Sequence, residues 1–351
     1  MKLIVLIILL AVSSVMAQSG RVKPPENPSP TPKPSQKAIK YNPTQRADEF
    51  PGPTPTPKTG GDDAGVIKIE STLVPIPVTV LDAGGRVLTN LRLEDFELKI
   101  NGKPAELSDL SRSESPIRLA MLFDNSSSVL IARDFETKAA VRFFNRIIRP
   151  EKDLASLFSV STTTRIEQRF TADVNSLTHA IEAFPSPVGA TALLDGIILS
   201  ADYLGEVQGR RVIVIVSDGD DTSSDSTLDQ VLKSLQLSNC QVFVVKTTDF
   251  ENYKRTGSRG GNANIRQLSA ERRMIEIANQ TGGKVYSPID EKELDEAFRQ
   301  ISAELSQQYI LSYYPENESE NRGAFREISL SVKAKPNVDV RTRKGYYVPR
   351  K

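Results

Sequence analysis

The most constraining feature of this sequence is a regular alternation of short apolar runs with longer helical patterns between residues 116 and 305. Such alternation predicts a parallel sheet with helices on both faces, which is an α/β doubly wound fold. The predicted strands are Ile117–Phe123, Leu154–Val160, Arg165–Phe170, Arg211–Val216, Gln241–Val245 and Lys284–Ser287. The predicted helices are Ala132–Ile148, Val174–Phe184, Ala192–Leu204, Ser226–Leu237, Ala270–Thr281 and Glu291–Leu305. The polar, Gly-rich segment Thr248–Gly261 is predicted to be a mobile loop.

Short alternating segments flank this region on both sides. Upstream, Val78–Val80 runs into the turn signal Asp82–Gly85, and Phe96–Ile100 precedes the tight-turn dipeptide Asn101-Gly102. The downstream candidates are Tyr309–Tyr314, Phe325–Ala334 and Val338–Arg341. Each set is too small to bury an apolar face alone. We therefore expect flanking β-strands that together form a small β-sandwich, into which the α/β domain is inserted. Two independent small β-subdomains are the alternative.

The first 65 residues have the composition of a targeting segment followed by a spacer. Lys2 precedes the apolar run Leu3–Val12, which is too short to span a bilayer core of about 30 Å, and Val15–Ala17 has small residues suited to cleavage. Residues 1–17 are thus predicted to be a signal peptide, so the protein is expected to be exported to the periplasm, the cell surface or the medium. Residues 18–65 contain eleven of the 22 prolines and are predicted to be a disordered Pro-rich linker.

Charge and residue usage argue against several classes of function. The 45 basic and 44 acidic residues give no electrostatic basis for binding nucleic acid. After the signal peptide, no segment is long and apolar enough to predict a membrane span. The only histidine, His179, and the only cysteine, Cys240, supply no catalytic pair, and zinc, nucleotide-loop and nucleophile-elbow motifs are absent from the sequence. We therefore predict that the protein is not an enzyme and that Cys240 is a buried, inert thiol.

Three polar segments carry side-chain oxygens at the ends of apolar elements. One follows the first strand of the sheet, one opens a helix, and one follows a later strand, so their oxygens should meet at the carboxyl edge of the sheet. Hard divalent cations prefer oxygen ligands, and Mg²⁺ keeps positions for water or a partner. The sequence therefore predicts a site for Mg²⁺, or for Mn²⁺ or Ca²⁺, whose ligands are Asp124, Ser126, Ser128, Thr191 and Asp218. The adjacent Asp220 and Asp221 do not complete a calcium-loop pattern and are expected to be solvated loop acids; the alternative is that they hold the loop or tune the ion.

These residues resemble the von Willebrand factor A (VWA) domain and its metal-ion-dependent adhesion site. The family pattern is Asp-x-Ser-x-Ser, a distant Thr and a later Asp-Gly, and every member is present here. The flanks, including Val80–Leu88 and Gln308–Tyr314, resemble a bacterial family of secreted proteins that carry this domain. The resemblance implies a Rossmann-like fold in which Ser126, Ser128 and often Thr191 contact the ion directly. It further implies that the two aspartates act directly or through water, and that a Glu or Asp of a partner completes the coordination.

The predicted function is that of an exported, metal-dependent protein-binding or adhesion module whose partner exposes an Asp or Glu. Two alternatives stay open: an envelope hydrolase that uses the ion catalytically, and a structural envelope protein in which the ion is a folding staple. A general base beside the ion would favour the hydrolase. Beyond the signal peptide and linker, the predicted domains are N-terminal β-strands at 66–115, the α/β domain at 116–305 and C-terminal β-strands at 306–351.

Overall fold

The structure is a computed structural model that describes residues 73–112, 115–130, 132–258, 265–315, 322–333 and 337–348. The predicted signal peptide and Pro-rich linker lie outside these residues. Within the ranges described, no helix is long and apolar enough to cross a membrane.

The described secondary structure runs from strands through an α/β region and back to strands. The strands are β1 (Val74–Leu81), β2 (Phe96–Ile100), β3 (Lys103–Ala105), β4 (Asp109–Arg112), β5 (Ile117–Asp124), β6 (Leu154–Val160), β7 (Thr164–Thr171), β8 (Arg210–Ser217), β9 (Cys240–Lys246), β10 (Val285–Tyr286), β11 (Tyr309–Tyr313), β12 (Phe325–Val332), β13 (Asp339–Thr342) and β14 (Gly345–Tyr347). The helices are α1 (Arg133–Ile147), α2 (Val174–Glu182), α3 (Leu193–Gly205), α4 (Leu228–Leu237), α5 (Thr248–Thr256), α6 (Ile265–Thr281) and α7 (Glu291–Gln307).

The central sheet has six strands in the order β10-β9-β8-β5-β6-β7. All neighbours are parallel except β6 and β7, which are antiparallel. The prediction of a parallel sheet is therefore wrong at this edge, because the short connection at residues 161–163 can close a hairpin but cannot make a crossover. The order of the strands reverses between β5 and β8. Ligands of open α/β sheets bind outside the carboxyl ends of the strands at such a switch point.

Helices cover both faces of this sheet. On one face, β-strand side chains pack with α1, α2 and α7, and the rings of Phe143 and Phe298 lie 5.0 Å apart. On the other face, the core includes Ile197 of α3, Leu235 of α4 and Ile277 of α6. Because both faces are buried, the central strands are apolar along nearly their whole length. This arrangement confirms the predicted doubly wound fold class.

One segment that was predicted as a mobile loop is helical. Residues 248–256 form α5, and α6 begins at Ile265 rather than at the predicted Ala270. Acids in the first turn and bases in the last turn of α5 complement the helix dipole, and Phe250 is buried. Gly257 then ends the helix with a left-handed φ of 69°. The polar composition concealed this helix, in which Phe250 is buried and Thr248 Oγ1 donates a hydrogen bond of 3.0 Å to the Asp218 carbonyl.

The flanking strands form two packed four-stranded sheets, β13-β1-β11-β4 and β14-β12-β2-β3. Each sheet combines strands from before and after the α/β region, since β1 pairs with β11 and β2 pairs with β12. Their shared core includes Ile76, Leu98, Tyr309 and Tyr346. The predicted β-sandwich is thus present, whereas the domain boundaries at residues 116 and 305 stay our proposal. The short strands β3, β4 and β14 were not predicted, because an alternation of apolar and polar residues cannot be recognised over only three or four residues.

A buried polar chain connects the sandwich with the α/β region. Arg210, at the start of β8, donates a hydrogen bond of 2.8 Å to the carbonyl of Leu305 and another to the Gln308 side chain. Gln308 Nε2 in turn donates to Thr79 Oγ1 of β1 at 3.1 Å. The two parts of the molecule therefore share one hydrogen-bonded junction in addition to the peptide links.

Candidate metal site

The first element of the site is the end of β5 and the loop of residues 125–130 that follows it (loop 1). Asp124 is 1% exposed, and its Oδ1 accepts a hydrogen bond of 2.9 Å from the Ser126 backbone N–H. Its Oδ2 accepts a hydrogen bond of 2.5 Å from Ser217 Oγ at the end of β8. The hydroxyl oxygens of Ser126 and Ser128 lie 2.9 Å apart. Loop 1 therefore gathers one carboxylate and two hydroxyls at the switch point.

The second element is the loop of residues 185–192 before α3 (loop 2), which carries the buried Thr191. Loop 2 is hydrogen-bonded to loop 1, since Val188 N–H donates to the Asn125 carbonyl at 3.0 Å and Ser127 N–H donates to the Gly189 carbonyl at 3.3 Å. Gly189 has a φ of 89°, and a Cβ there would lie 2.7 Å from Thr162 Oγ1. A side chain at this position would therefore be strained by the positive φ and would collide with Thr162 in the connection between β6 and β7.

The third element is the loop of residues 218–227 after β8 (loop 3). Asp218 accepts a hydrogen bond from the Ser128 hydroxyl, so Asp124, Ser126, Ser128 and Asp218 form one contiguous group. Thr191 is held against loop 3 through its backbone: its N–H donates to Thr222 Oγ1 at 3.0 Å, and its carbonyl accepts from Thr222 N–H at 2.8 Å. The three loops thus carry all five predicted ligands at one edge of the sheet.

The expectation that Asp220 and Asp221 are merely solvated is wrong. Asp221 Oδ1 accepts hydrogen bonds from the backbone N–H groups of Leu193 at 2.8 Å and Leu194 at 3.2 Å, and so caps the first turn of α3. Asp220 forms an ion pair with Arg266 of α6 at 2.5 Å. Both acids therefore fix loop 3 to neighbouring helices. A carboxylate four residues after the end of β8 was not recognisable as a cap, because the helix that it caps lies earlier in the sequence.

Negative charge is concentrated at and beneath the site. Burial, together with the nearby charge of Asp218, raises the pKa of Asp124 to about 6 against the opposing hydrogen bonds from Ser217 and Ser126. Burial also raises the pKa of Asp218. Glu136 of α1 and Glu251 of α5 interact electrostatically with both aspartates; burial raises the pKa of Glu251 to about 8 and that of Glu136 well above its ordinary value. Among the described residues, neither Glu136 oxygen has a hydrogen-bond partner.

One cation offsets part of this charge. Arg133 donates hydrogen bonds to the Asp124 carbonyl at 3.1 Å and to Asn125 Oδ1 at 2.6 Å. Its guanidinium lies 4.8 Å from the ring centroid of Phe123 and 5.0 Å from that of Phe184. Arg133 therefore fixes the start of loop 1 through these hydrogen bonds and contributes a positive charge near Asp124.

The side chains suit a small, hard cation. They supply two carboxylates and three hydroxyls, which are oxygen donors of the kind that Mg²⁺ and Ca²⁺ prefer. The described ranges contain no group of three or more Asp, Glu, His or Cys side chains that could hold a metal ion. Most of the candidate ligands are therefore hydroxyl groups. Burial is the main cause of the raised pKa values of Asp124 and Asp218, and a bound divalent cation would favour the charged form of both carboxyls.

Sequence reasoning missed the residues that support this set. Ser217 was visible at the end of a predicted strand, and its place beside Asp218 was the available signal. Arg133 and Glu136 lie on α1, and Glu251 lies on a helix that was not predicted, so their approach to the site depends on tertiary packing. A charged residue in the first turn of a helix gives no indication of which strand end it faces.

The sequence matches the family model of the von Willebrand factor type A domain over residues 119–300, which is more than half of the chain. No curated protein matches the chain.

Solved structures with some likeness include the PilB minor pilin from Streptococcus sanguinis, with a TM-score of 0.42 and 13% identity over 55% of this chain and 62% of the pilin. Another is the conserved hypothetical protein BatB from Bacteroides thetaiotaomicron, with a TM-score of 0.40 and 13% identity over 54% of this chain and 98% of that protein. The pilus adhesin SpaC from Lactobacillus rhamnosus GG has a TM-score of 0.44 and 8% identity over 73% of this chain and 48% of SpaC. Because these TM-scores are below 0.5, the family assignment depends on the sequence match alone. The chain belongs to the von Willebrand factor type A domain family.

Proposed function

We propose that this chain is an exported, metal-dependent protein-binding module that engages an acidic side chain of its partner. The supporting observation is the contiguous group of oxygens at the switch point, in which two carboxylates with raised pKa values meet the hydroxyls of Ser126 and Ser128. Export rests on the predicted signal peptide at residues 1–17.

Each residue has a distinct part in this proposal. Ser126, Ser128 and Thr191 would hold the ion through neutral hydroxyls, while Asp124 and Asp218 would hold it directly or through water. A bound Mg²⁺ supplies a Lewis-acidic coordination position that a partner carboxylate can occupy. Because three of the five ligands are uncharged, the ion would keep much of its positive charge for the partner. Arg133 and Ser217 orient Asp124 through the hydrogen bonds described above.

The two alternatives are less well supported. A hydrolase needs a general base within reach of a substrate. Glu136 is 1% exposed and cannot contact one. A folding staple does not need hydroxyl ligands at an open edge of the sheet, and Ser128 is exposed there.

A pull-down from a bacterial envelope extract tests the proposal. The immobilised wild-type chain should retain a partner in Mg²⁺ and release it in EDTA, and Asp124→Ala should retain none. Asp109→Ala is the matched control, because Asp109 is an exposed acid on β4 of the sandwich. Retention that persists in excess EDTA would contradict metal-dependent binding.

The Thr191→Ala variant separates partner binding from metal binding. We expect this change to weaken partner affinity roughly 10–150-fold, equivalent to about 1.5–3 kcal/mol for one charge-linked contact. Its effect on free Mn²⁺ affinity should be smaller, because the loop 1 and loop 3 ligands remain. Surface plasmon resonance at saturating Mg²⁺ measures the first quantity and calorimetry the second. Unchanged partner affinity would favour the folding-staple alternative.

A further inference from the structure

Two large apolar side chains are exposed on the loops that carry the candidate ligands. Leu130, two residues after Ser128, is 61% exposed, and Val188, three residues before Thr191, is 66% exposed. Single exposed apolar residues are common on soluble proteins. These two are notable because each belongs to a loop that carries candidate ligands and whose conformation is fixed by hydrogen bonds.

Backbone hydrogen bonds hold these two loops side by side. Val188 donates directly to the Asn125 carbonyl, and Ser127 contacts the Gly189 carbonyl through both its N–H and its hydroxyl. Leu130 follows the short 3-10 turn Ser127–Val129, whose Val129 is fully buried. The anchoring of Val129 in the core leaves Leu130 at the surface, two residues after Ser128. The two apolar side chains therefore lie on adjacent, hydrogen-bonded loops that also carry Ser128 and Thr191.

The charges on loop 3 restrict what can approach the ligand-bearing loops. Asp218, Asp220 and Asp221 are all partly exposed, and within the described ranges Arg266 forms an ion pair with Asp220. A second or third acid on a partner would face these carboxylates after the first acid had reached the ion. A strongly acidic segment is thus disfavoured by charge, whereas apolar neighbours of a single acid could bury the surface of Leu130 and Val188.

We propose that Leu130 and Val188 form an apolar rim of the partner-binding face. The partner would present one Asp or Glu whose neighbours in the bound segment are aliphatic or aromatic rather than acidic. This inference rests on the proposed metal-dependent function and adds the chemistry of the segment that is recognised.

Selection from a random 12-residue phage-displayed peptide library tests this inference on the full chain. Phage are bound in Mg²⁺ and eluted with EDTA, and the enriched peptides are sequenced and synthesised with a fluorophore. We expect the EDTA-eluted peptides to contain a single acid flanked by apolar residues. Fluorescence anisotropy with such a peptide then compares the wild-type chain with Leu130→Ser, Val188→Ser and Leu237→Ser. Leu237 is the matched control, because it is 54% exposed and is the last residue of α4, at the end of that helix away from loop 3.

Each rim variant should weaken peptide binding about 5- to 20-fold, from the loss of a partly buried apolar side chain, and Leu237→Ser should leave it unchanged. Mn²⁺ affinity should be the same in all four proteins. Enrichment of acids surrounded by polar or further acidic residues, or equal peptide affinity in the rim variants, would overturn the apolar rim while leaving metal-dependent binding intact. Peptides that contain no acid, or that EDTA does not release, would instead contradict the proposed function itself.

Discussion

The Asp124→Asn variant should change the stability of the protein in opposite directions with and without metal. The change keeps the shape of the side chain and an oxygen that can accept the Ser126 N–H bond, and its amide can donate to Ser217 Oγ. It removes the buried negative charge. In EDTA the variant should therefore be more stable than the wild type above neutral pH. In saturating Mg²⁺ the order should reverse.

The magnitude follows from the pKa of Asp124, which burial raises from 3.8 to about 6. This rise in pKa means that folding favours the protonated over the charged side chain by about 3 kcal/mol. Because the pKa is raised in the folded state, the wild type has this stability below pH 4 and loses it as the pH rises through about 6. The altered hydrogen bond with Ser217 costs the variant about 1 kcal/mol. The net gain of the variant in EDTA is then about 2 kcal/mol at pH 8 and near zero or slightly negative at pH 4.

Urea unfolding monitored by circular dichroism measures these differences. Wild type and variant are compared in EDTA at pH 4 and pH 8, and again at pH 8 with Mg²⁺ at about 100 times its Kd, where a bound ion should add about 2.7 kcal/mol to the wild type alone. A variant that is less stable than the wild type in EDTA at pH 8 would refute the reasoning. So would a stability difference in EDTA that does not change with pH.

Three further predictions concern the frame around the site. Arg210→Met should lower the free energy of unfolding by about 2–4 kcal/mol in urea, because two buried hydrogen bonds at the sandwich junction are lost; a loss below 1 kcal/mol would contradict that role. Gly283→Ala should cost about 3 kcal/mol or more, since its Cβ would lie 1.8 Å from the Val242 carbonyl oxygen. Gly257→Ala should cost about 1 kcal/mol, because φ is 69° there but no atom of the described residues would lie within 4 Å of the new Cβ. Equal losses in the two glycine variants would count against the close contact. Cys240 is buried, and burial raises its pKa to about 12. Ellman's reagent should therefore label it at pH 8 only in the unfolded protein. Rapid labelling of the native chain would show that the thiol is accessible.

The central strands were predictable because the helices cover both faces of the sheet. Apart from Arg118 and Arg211, Ile117–Phe123 and Arg211–Val216 are apolar for that reason. The observed β5 is one residue longer at its end, and β8 is one residue longer at each end. The polar composition of α5 hides it from an apolar pattern, since Phe250 is its buried apolar side chain. The edge strand β7 was placed correctly along the chain, but its direction is set by a three-residue connection that is too short for a crossover.

The candidate ligands were predictable because each follows directly from a recognisable element end. The residues that support them were not, because their roles arise from contacts across the fold. Asp221 caps a helix that begins 28 residues earlier in the chain, and Ser217 reaches Asp124 over a separation of 93 residues. Glu136 reaches the site only because α1 folds back beneath loop 1. Local pattern thus locates the ligands, and tertiary packing determines their charge environment.

A titration of the purified chain with Mn²⁺ by isothermal calorimetry tests the central claim most directly. The account predicts one ion per chain for the wild type and for the control Asp109→Ala, and no binding for Asp124→Ala. Circular dichroism in EDTA should show that all three proteins are folded, because the core strands do not depend on the ion. Equal Mn²⁺ affinity in the wild type and in folded Asp124→Ala would contradict the assignment of the site.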